Sequence, residues 1–249
     1  MDGSPLTPAS VSQWDTHPAL DGLFPWYLPG VFPTRGWVYA PSRSILERRW
    51  TTLIGEGDRQ RKAQLFKEGR DANLQKTKPA LPGDDTCPDP GRPILGETTT
   101  TPALARVGYR AFDRQWVVAD PRVMDMPRRD LWAARRPGQV FVIEQHRHSF
   151  QTGPGLIFSA LIPDFDHFNG RGGRALPFLH PDGTPNLAPG LTTALTSLLS
   201  AEITAEDVLA YVVGVTAHPA FTKTFADELT TPGIRVPITT DAKLWTKAV

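Results

Sequence analysis

Residues 106–122 read RVGYRAFDRQWVVADPR, and the fold turns on how this stretch is placed. RVGYRAF (106–112) and RQWVVAD (114–120) are short segments rich in β-branched and aromatic residues, as are QVFVIEQ (139–145) and LIFSALI (156–162). Turn residues separate them, a pattern that predicts an antiparallel meander. The same stretch poses a chemical question. Arg106, Arg110, Arg114 and Arg122 surround an aromatic run, with Asp113 and Asp120 among them. Such a surface could read nucleic acid, form an ion-paired hairpin, or belong to a catalytic pocket.

On the amino-terminal side, residues 14–41 are rich in aromatics, glycine and proline. Pro18, Pro25, Pro29, Pro33 and Pro41 forbid a continuous helix there, and GWVYA (36–40) suits a short strand. Residues 42–69 read as helix capped by Ser42 or Ser44, with Gly55 and Gly57 as a break. The charges of 59–78 fit a solvated helical face. Residues 79–93, PALPGDDTCPDPGRP, are dense in proline, glycine and aspartate and mark a linker. The expected division is therefore a connector over 1–95 and a second domain over 96–249.

On the carboxyl-terminal side, LTTALTSLLS (191–200) is a short helix. TAEDVLAYVVGVTAH (204–218) opens with Thr204 and Asp207 in capping-box spacing and buries Leu209, Val212, Val213 and Thr216. Pro219 ends it and can start the next helix, over 219–231. The fold class is α+β, with short, mostly antiparallel strands, a carboxyl-terminal helical pair and proline-rich loops.

Composition narrows the chemistry. The 249 residues carry 25 prolines, about twice the usual share, which favours loops and short elements over a long bundle. The net charge of +1 exerts no global pull toward nucleic acid or membrane, so any such surface is local. Cys87 is the only cysteine, which excludes an internal disulfide framework and any cysteine-rich zinc site. No apolar run reaches the roughly 18 residues of a membrane span. MDGSPLTPAS lacks the basic head and apolar stretch of a signal peptide, so a cytoplasmic protein is expected.

FNGRGGRA (168–175) has the glycine spacing of dinucleotide and adenosylmethionine loops. It lacks the preceding buried strand and the following helix, with Pro177 close behind. A glycine loop from which Arg171 and Arg174 could meet phosphates is the better reading. His146, His148, Asp164 and Asp166 could build the metal site of a small hydrolase or nuclease, but nothing in the sequence brings them together. No G-x-S-x-G elbow and no phosphate-binding loop is present, and Cys87 has no basic activator. Arginine dominates 106–149, interleaved with Tyr109, Phe112, Trp116, Trp132 and His148. That is the chemistry of phosphate and base-edge recognition, yet local Arg–Asp pairing explains it equally well.

Three blocks settle the balance. YRAFDRQWVVADPRVMDMPR (109–128), ALPFLHPDGTPNLAPGL (175–191) and residues 207–248 resemble, in order and spacing, the carboxyl-terminal specificity region of type ISP restriction–modification enzymes. That family reads Y-R-P-F-D in the first block; here Tyr109, Arg110, Phe112 and Asp113 match, and Ala111 replaces the proline. Tyr211, His218, Arg235 and Pro237 carry the last block. Residues 23–49 also resemble the stretch that follows the methyltransferase core. The resemblance implies a DNA target-recognition region acting on duplex DNA. The methyltransferase and helicase–nuclease parts, with their S-adenosylmethionine and ATP-Mg, would be supplied elsewhere, so that this chain is not catalytic alone and holds no metal. It further implies that Arg110 and Asp113 pair structurally in a short turn, with Tyr109, Phe112, Tyr211, His218, Arg235 and Pro237 also structural. Arg114, Arg128, Arg129, Arg147, His148, Arg171 and Arg174 are then the candidates for DNA. A metal-dependent hydrolase or a protein-interaction module that docks on a methyltransferase remains the alternative.

Overall fold

The apolar run QVFVIEQ becomes a strand covered on both faces, and the rest of the chain is arranged around it. The computed structural model describes residues 13–146, 155–168 and 173–249. In chain order the elements are α1 (Leu20–Leu23), β1 (Leu28–Pro29), β2 (Tyr39–Ala40), α2 (Arg43–Gly55), α3 (Arg59–Phe66), β3 (Leu104–Arg110), β4 (Asp113–Val118), α4 (Arg129–Ala133), β5 (Phe141–Glu144), β6 (Leu156–Ser159), β7 (Arg174–Pro177), α5 (Leu191–Leu199), α6 (Ala205–Ala217), α7 (Pro219–Thr224) and α8 (Ala242–Ala248). This is an α+β fold with antiparallel strands and carboxyl-terminal helices. No described helix is long and apolar enough to cross a membrane.

The strands do not form one meander. They divide into a four-stranded sheet, ordered β1-β7-β5-β6, and a three-stranded sheet, ordered β2-β4-β3, with antiparallel pairing throughout. Two hairpins, β3–β4 and β5–β6, are the local pairings that periodicity foretells. The insertion of β7 beside β5 is long-range, and it comes from the end of the stretch read as a glycine loop. Bridges from Val31 and Gly108 to residues 163 and 164 join the two sheets.

Alternation along β5 explains why its sequence is apolar at every position. Phe141 and Ile143 enter one core with Ile157 and Ala175, while Val142 enters another with Leu156 and Leu176. A strand buried on both faces has no solvent side to keep polar. The first core also holds Leu46, Trp50, Phe66, Val107, Val117 and Trp132, and it draws Leu74 and Leu81 from before residue 95 and Ile94 and Leu104 from around and beyond it. The second packs Val208, Tyr211, Val212 and Trp245 against Trp14, Leu20 and Phe24, so both ends of the chain meet there.

Helix ends follow local chemistry. α2 and α3 separate at residues 56–58, and the Asp58 carboxylate accepts from the Arg61 amide. Ser42 stands at the start of α2 without a side-chain cap. Thr204 and Asp207 form a reciprocal capping box on α6, which buries Val208, Leu209, Tyr211, Val212 and Thr216. Val213 is only half-buried. Pro219 opens α7, but that helix stops at Thr224 and does not run to 231. Helix α8 is not anticipated by the sequence; Asp241 caps it, and its Trp245 stacks on Tyr211 at 4.1 Å.

One buried ion pair ties these parts together. Glu144 and Arg174 are register partners on β5 and β7, and their side chains are paired. Glu144 is fully buried and also accepts from the Ile234 amide at 2.6 Å, while Arg174 reaches Asp21 at 2.9 Å. Burial raises the Glu144 carboxyl above the usual range, and the Arg174 guanidinium pulls it back. Arg174→Ala strands that carboxylate without its cation, and such a loss costs about 3–5 kcal/mol. Urea unfolding of the variant beside wild type should show it as a lowered midpoint.

Candidate nucleic-acid interface

An 810 Å³ cleft opens between the β3–β4 hairpin, residues 82–85 and α4, and arginines dominate its polar lining: Arg43, Arg106, Arg135 and Arg136, with Trp116 and Trp132 among them. Arg106 and Trp116 are register partners across the hairpin and so share a face. Arg43, at the first turn of α2, comes over the same ring. Its guanidinium lies 4.7 Å from the Trp116 centroid, and that of Arg106 lies 5.1 Å away. An indole flanked by two cations is a stacking arrangement available to arginine and less so to lysine. Across the cleft, Arg135 lies over Trp132 at 4.6 Å and pairs with Asp85 at 2.6 Å. Arg136 donates to the Pro181 carbonyl at 2.8 Å. Gly83 and Gly183, both at positive φ, sit beneath these two guanidinium groups, where any side chain would displace them.

The arginines divide by whether an acid is within reach. Arg122 is buried and paired with Asp120 and Glu97, at 2.6 and 2.9 Å. Burial would raise the Glu97 carboxyl, but hydrogen bonds from Thr99 and Arg122 hold it at about 2. Arg35 pairs with Asp125, Arg110 with Asp164 and Arg174 with Glu144. By contrast, Arg43, Arg106, Arg114, Arg128, Arg129 and Arg136 form no ion pair with any described residue. Arg129 donates to the Ala80 carbonyl, and the Arg128 Nε is buried without a partner. Burial lowers the pKa of Arg128, so its charge is held at a cost.

The expected Arg110–Asp113 pair is not formed. The two residues face each other across the hairpin turn, but Asp113 accepts from the Gln115 side-chain Nε2 instead. Arg110 turns to Asp164, at 2.6 Å, and lies 4.0 Å over its neighbour Tyr109. The reason is burial. Burial pushes the Asp164 carboxyl up, and the Tyr39 hydroxyl and the Arg110 cation pull it back, whereas Asp113 is partly solvated. The Tyr39 hydroxyl is raised well above its ordinary value by the same burial, with the carboxylate beside it.

Phe112 does not pack as a structural motif residue would. It is 83% exposed, more than any other large apolar side chain among the described residues, and sits at φ 63° in the two-residue turn. The backbone around it is fastened, with Ala111 donating to the His167 carbonyl at 2.9 Å.

Of the remaining predicted residues, Arg174 is largely buried, with its Nε paired to Glu144 and its Nη1 to Asp21. Arg147, His148 and Arg171 lie outside the described residues. Arg114 is exposed on β4. Tyr211 donates to the Pro237 carbonyl at 2.8 Å, His218 accepts from the Ala220 amide, and Arg235 donates to the His17 carbonyl. His146 lines a cleft with Arg174 and Arg235, whereas Asp164 and Asp166 line another with Tyr39 and Arg110, so these three do not converge. Burial pushes the Cys87 thiol up to about 11, which leaves it protonated at neutral pH. None of the cleft residues Arg43, Arg106, Trp116, Arg135 and Arg136 is among the seven residues that the sequence reading offers for DNA. Strand alternation around a two-residue turn is the signal that would have paired Arg106 with Trp116.

A phenylalanine at positive φ carries roughly 1–3 kcal/mol of backbone strain, and glycine carries none. Glycine also frees the unfolded chain, which returns part of that gain. Phe112→Gly should therefore stabilise the protein by roughly 0.5–1 kcal/mol, seen as a higher melting temperature by calorimetry.

Comparison with known proteins identifies the family and the fold. The Type ISP C-terminal specificity domain matches residues 22–249. Among solved structures, the DrdV–DNA complex aligns with a TM-score of 0.60 and 18% identity, over 90% of this chain and 22% of that one. A nuclease-deletion mutant of the type ISP restriction–modification enzyme LlaGI, in complex with a DNA substrate mimic, aligns with a TM-score of 0.55 and 15% identity, over 95% of this chain and 19% of that one. ATP-dependent LlaBIII, a type ISP enzyme bound to DNA, gives a TM-score of 0.58 and 15% identity, over 95% and 16%. The chain thus spans about a fifth of the length of these structures, and the likeness is one of fold. No curated protein matches. With residues 22–249 covered, the chain belongs to the type ISP C-terminal specificity domain family.

Proposed function

We propose that this chain is the DNA target-recognition region of a type ISP restriction–modification system, working in the cytoplasm. It binds duplex DNA and selects the sequence on which methyltransferase, helicase and nuclease parts act. The S-adenosylmethionine and ATP-Mg of the reaction are bound by those other parts. The observation that carries this reading is the cleft of Arg43, Arg106 and Arg136 around Trp116, in a family whose similar solved structures are complexes with DNA. Guanidinium groups without internal acids are available to phosphate oxygens, and to the O6 and N7 of guanine when they reach a base edge. Arg114, Arg128 and Arg129 extend the set of cations without an internal acid. Because the net charge is only +1, the attraction is local, and a protein-wide basic field cannot substitute for it.

Each phosphate neutralised by a cation releases condensed counterions, so affinity must fall with salt. With four to six contacts, the slope of log affinity against log salt is about −4 to −5. Arg106→Ala should weaken binding to all sequences about equally and reduce that slope by roughly one. An Arg that reads a base should instead cost about 1–3 kcal/mol on the preferred site alone. Titration of labelled mixed-sequence duplex at several salt concentrations, with wild type, Arg106→Ala and Arg136→Ala, checks both expectations. Absence of duplex binding by the wild-type chain at low salt would sink the reading.

A further inference from the structure

The hairpin that forms one wall of the cleft ends in an arrangement that stability alone does not account for. Phe112 is 83% exposed and holds a left-handed backbone conformation, both unfavourable for a large apolar residue. The tip cannot relax to bury the ring, because it is fastened on the strand before it. Arg110 is held by Asp164 at 2.6 Å, Asp164 is held by the Tyr39 hydroxyl, and the Ala111 amide donates to the His167 carbonyl at 2.9 Å. Beyond the turn, Asp113 is occupied by the Gln115 side-chain Nε2. The ring is therefore displayed on a rigid stalk.

Its surroundings identify what it meets. Arg114, two residues on, is exposed and pairs with no acid among the described residues, and it faces Gly108 across the hairpin on the same face as Arg106 and Trp116. Arg43 completes the row over Trp116. An apolar ring projecting from a row of uncompensated cations suits a ligand that is polyanionic outside and aromatic inside. A protein groove would have to match each of those cations with an acid as it desolvates them, because a buried unpaired charge is costly. A nucleic-acid duplex satisfies both features, with phosphates for the guanidiniums and base faces for the ring.

We propose that Phe112 is a wedge, inserting its ring between two bases of the bound duplex and unstacking that step while the neighbouring arginines hold the phosphates on either side. Wedges of this kind, commonly Phe, Leu, Ile or Met, open and kink a duplex at the step they enter. The left-handed conformation at φ 63° fixes the direction of the Phe112 Cα–Cβ bond, which places the ring at the outer end of the turn. This inference rests on the duplex-binding reading above.

The test uses the full chain with mixed-sequence duplex at low salt, comparing wild type, Phe112→Ala, Phe112→Trp and Arg114→Ala. Affinity is followed by fluorescence anisotropy across a salt series, and unstacking by permanganate oxidation of thymines in the bound duplex, which needs no knowledge of the site. Stacking on a base predicts that Phe112→Ala weakens binding about 5- to 150-fold with an unchanged salt slope. The permanganate-reactive thymines seen with wild type should be lost in Phe112→Ala and restored in Phe112→Trp. Arg114→Ala should do the opposite, lowering the slope by about one and keeping the thymines reactive. Because Phe112 buries almost nothing, the alanine variant folds, and its melting curve verifies that. If Phe112→Ala matches wild type in affinity and thymine reactivity, the wedge is overturned while duplex binding stands. If wild type binds no duplex at all, the recognition reading falls and takes the wedge with it.

Discussion

The pairing of Glu144 with Arg174 is the contact on which the two halves of this fold depend. The two residues sit opposite each other on the central strands of a sheet covered on both faces, where a lone charge would be untenable. Each also reaches beyond the sheet. Glu144 accepts from the Ile234 amide and Arg174 holds Asp21, so the amino-terminal helix α1, the sheet and the carboxyl-terminal segment are linked through one pair of side chains. The same junction is reinforced by backbone hydrogen bonds from Leu20 to Ile234 and from Val236 to Pro18. A buried pair of this kind does little for net stability compared with apolar packing, but it penalises any arrangement that separates its partners. It selects the placement of β7 next to β5.

The same principle sorts the rest of the arginines. Where a carboxylate is carried into the interior, the nearest guanidinium is recruited to it, as with Arg122 at Asp120 and Arg110 at Asp164. Where no buried acid lies within reach, the guanidinium stays at the surface and stacks on whatever aromatic face is offered. Trp116 serves Arg43 and Arg106 in this way, and Trp132 serves Arg135. Acid-paired arginines and arginines without an internal acid are therefore consequences of one electrostatic rule, and they coexist within a few residues on the same strand. Arg106 and Arg110 both lie on β3 and have opposite fates.

Rigidity links these contacts to function. A recognition surface loses affinity when its groups must be ordered on binding, because that entropy opposes the complex. In the proposed interface the cleft arginines are held by carbonyls, rings and an acid within the chain itself, and the Phe112 turn is fastened through Arg110 and Ala111. Strain retained at an exposed turn is hard to reconcile with selection for stability alone, and it belongs where geometry matters to a ligand.

Much of this was legible in the linear sequence, wherever the deciding forces are local. The capping box at Thr204 and Asp207, the helix start at Pro219, the break near Gly57 and the two hairpins depend on neighbours within a turn or two of chain. The resemblance carried by YRAFD and the carboxyl-terminal block gave the family and the expectation of DNA, while local patterning gave the α+β class. What the sequence could not supply were contacts between distant residues. Arg110 meets Asp164 across 54 positions and Arg174 meets Glu144 across 30, so Arg110 exchanged the expected Asp113 for a partner, and Arg174 acquired one, that only folding brings near. The division of the strands into two sheets, and the exposure of Phe112, are of the same kind. Local propensity decides which elements form, but the interior's intolerance of an unpaired charge or an exposed core face is settled only when the whole chain has packed.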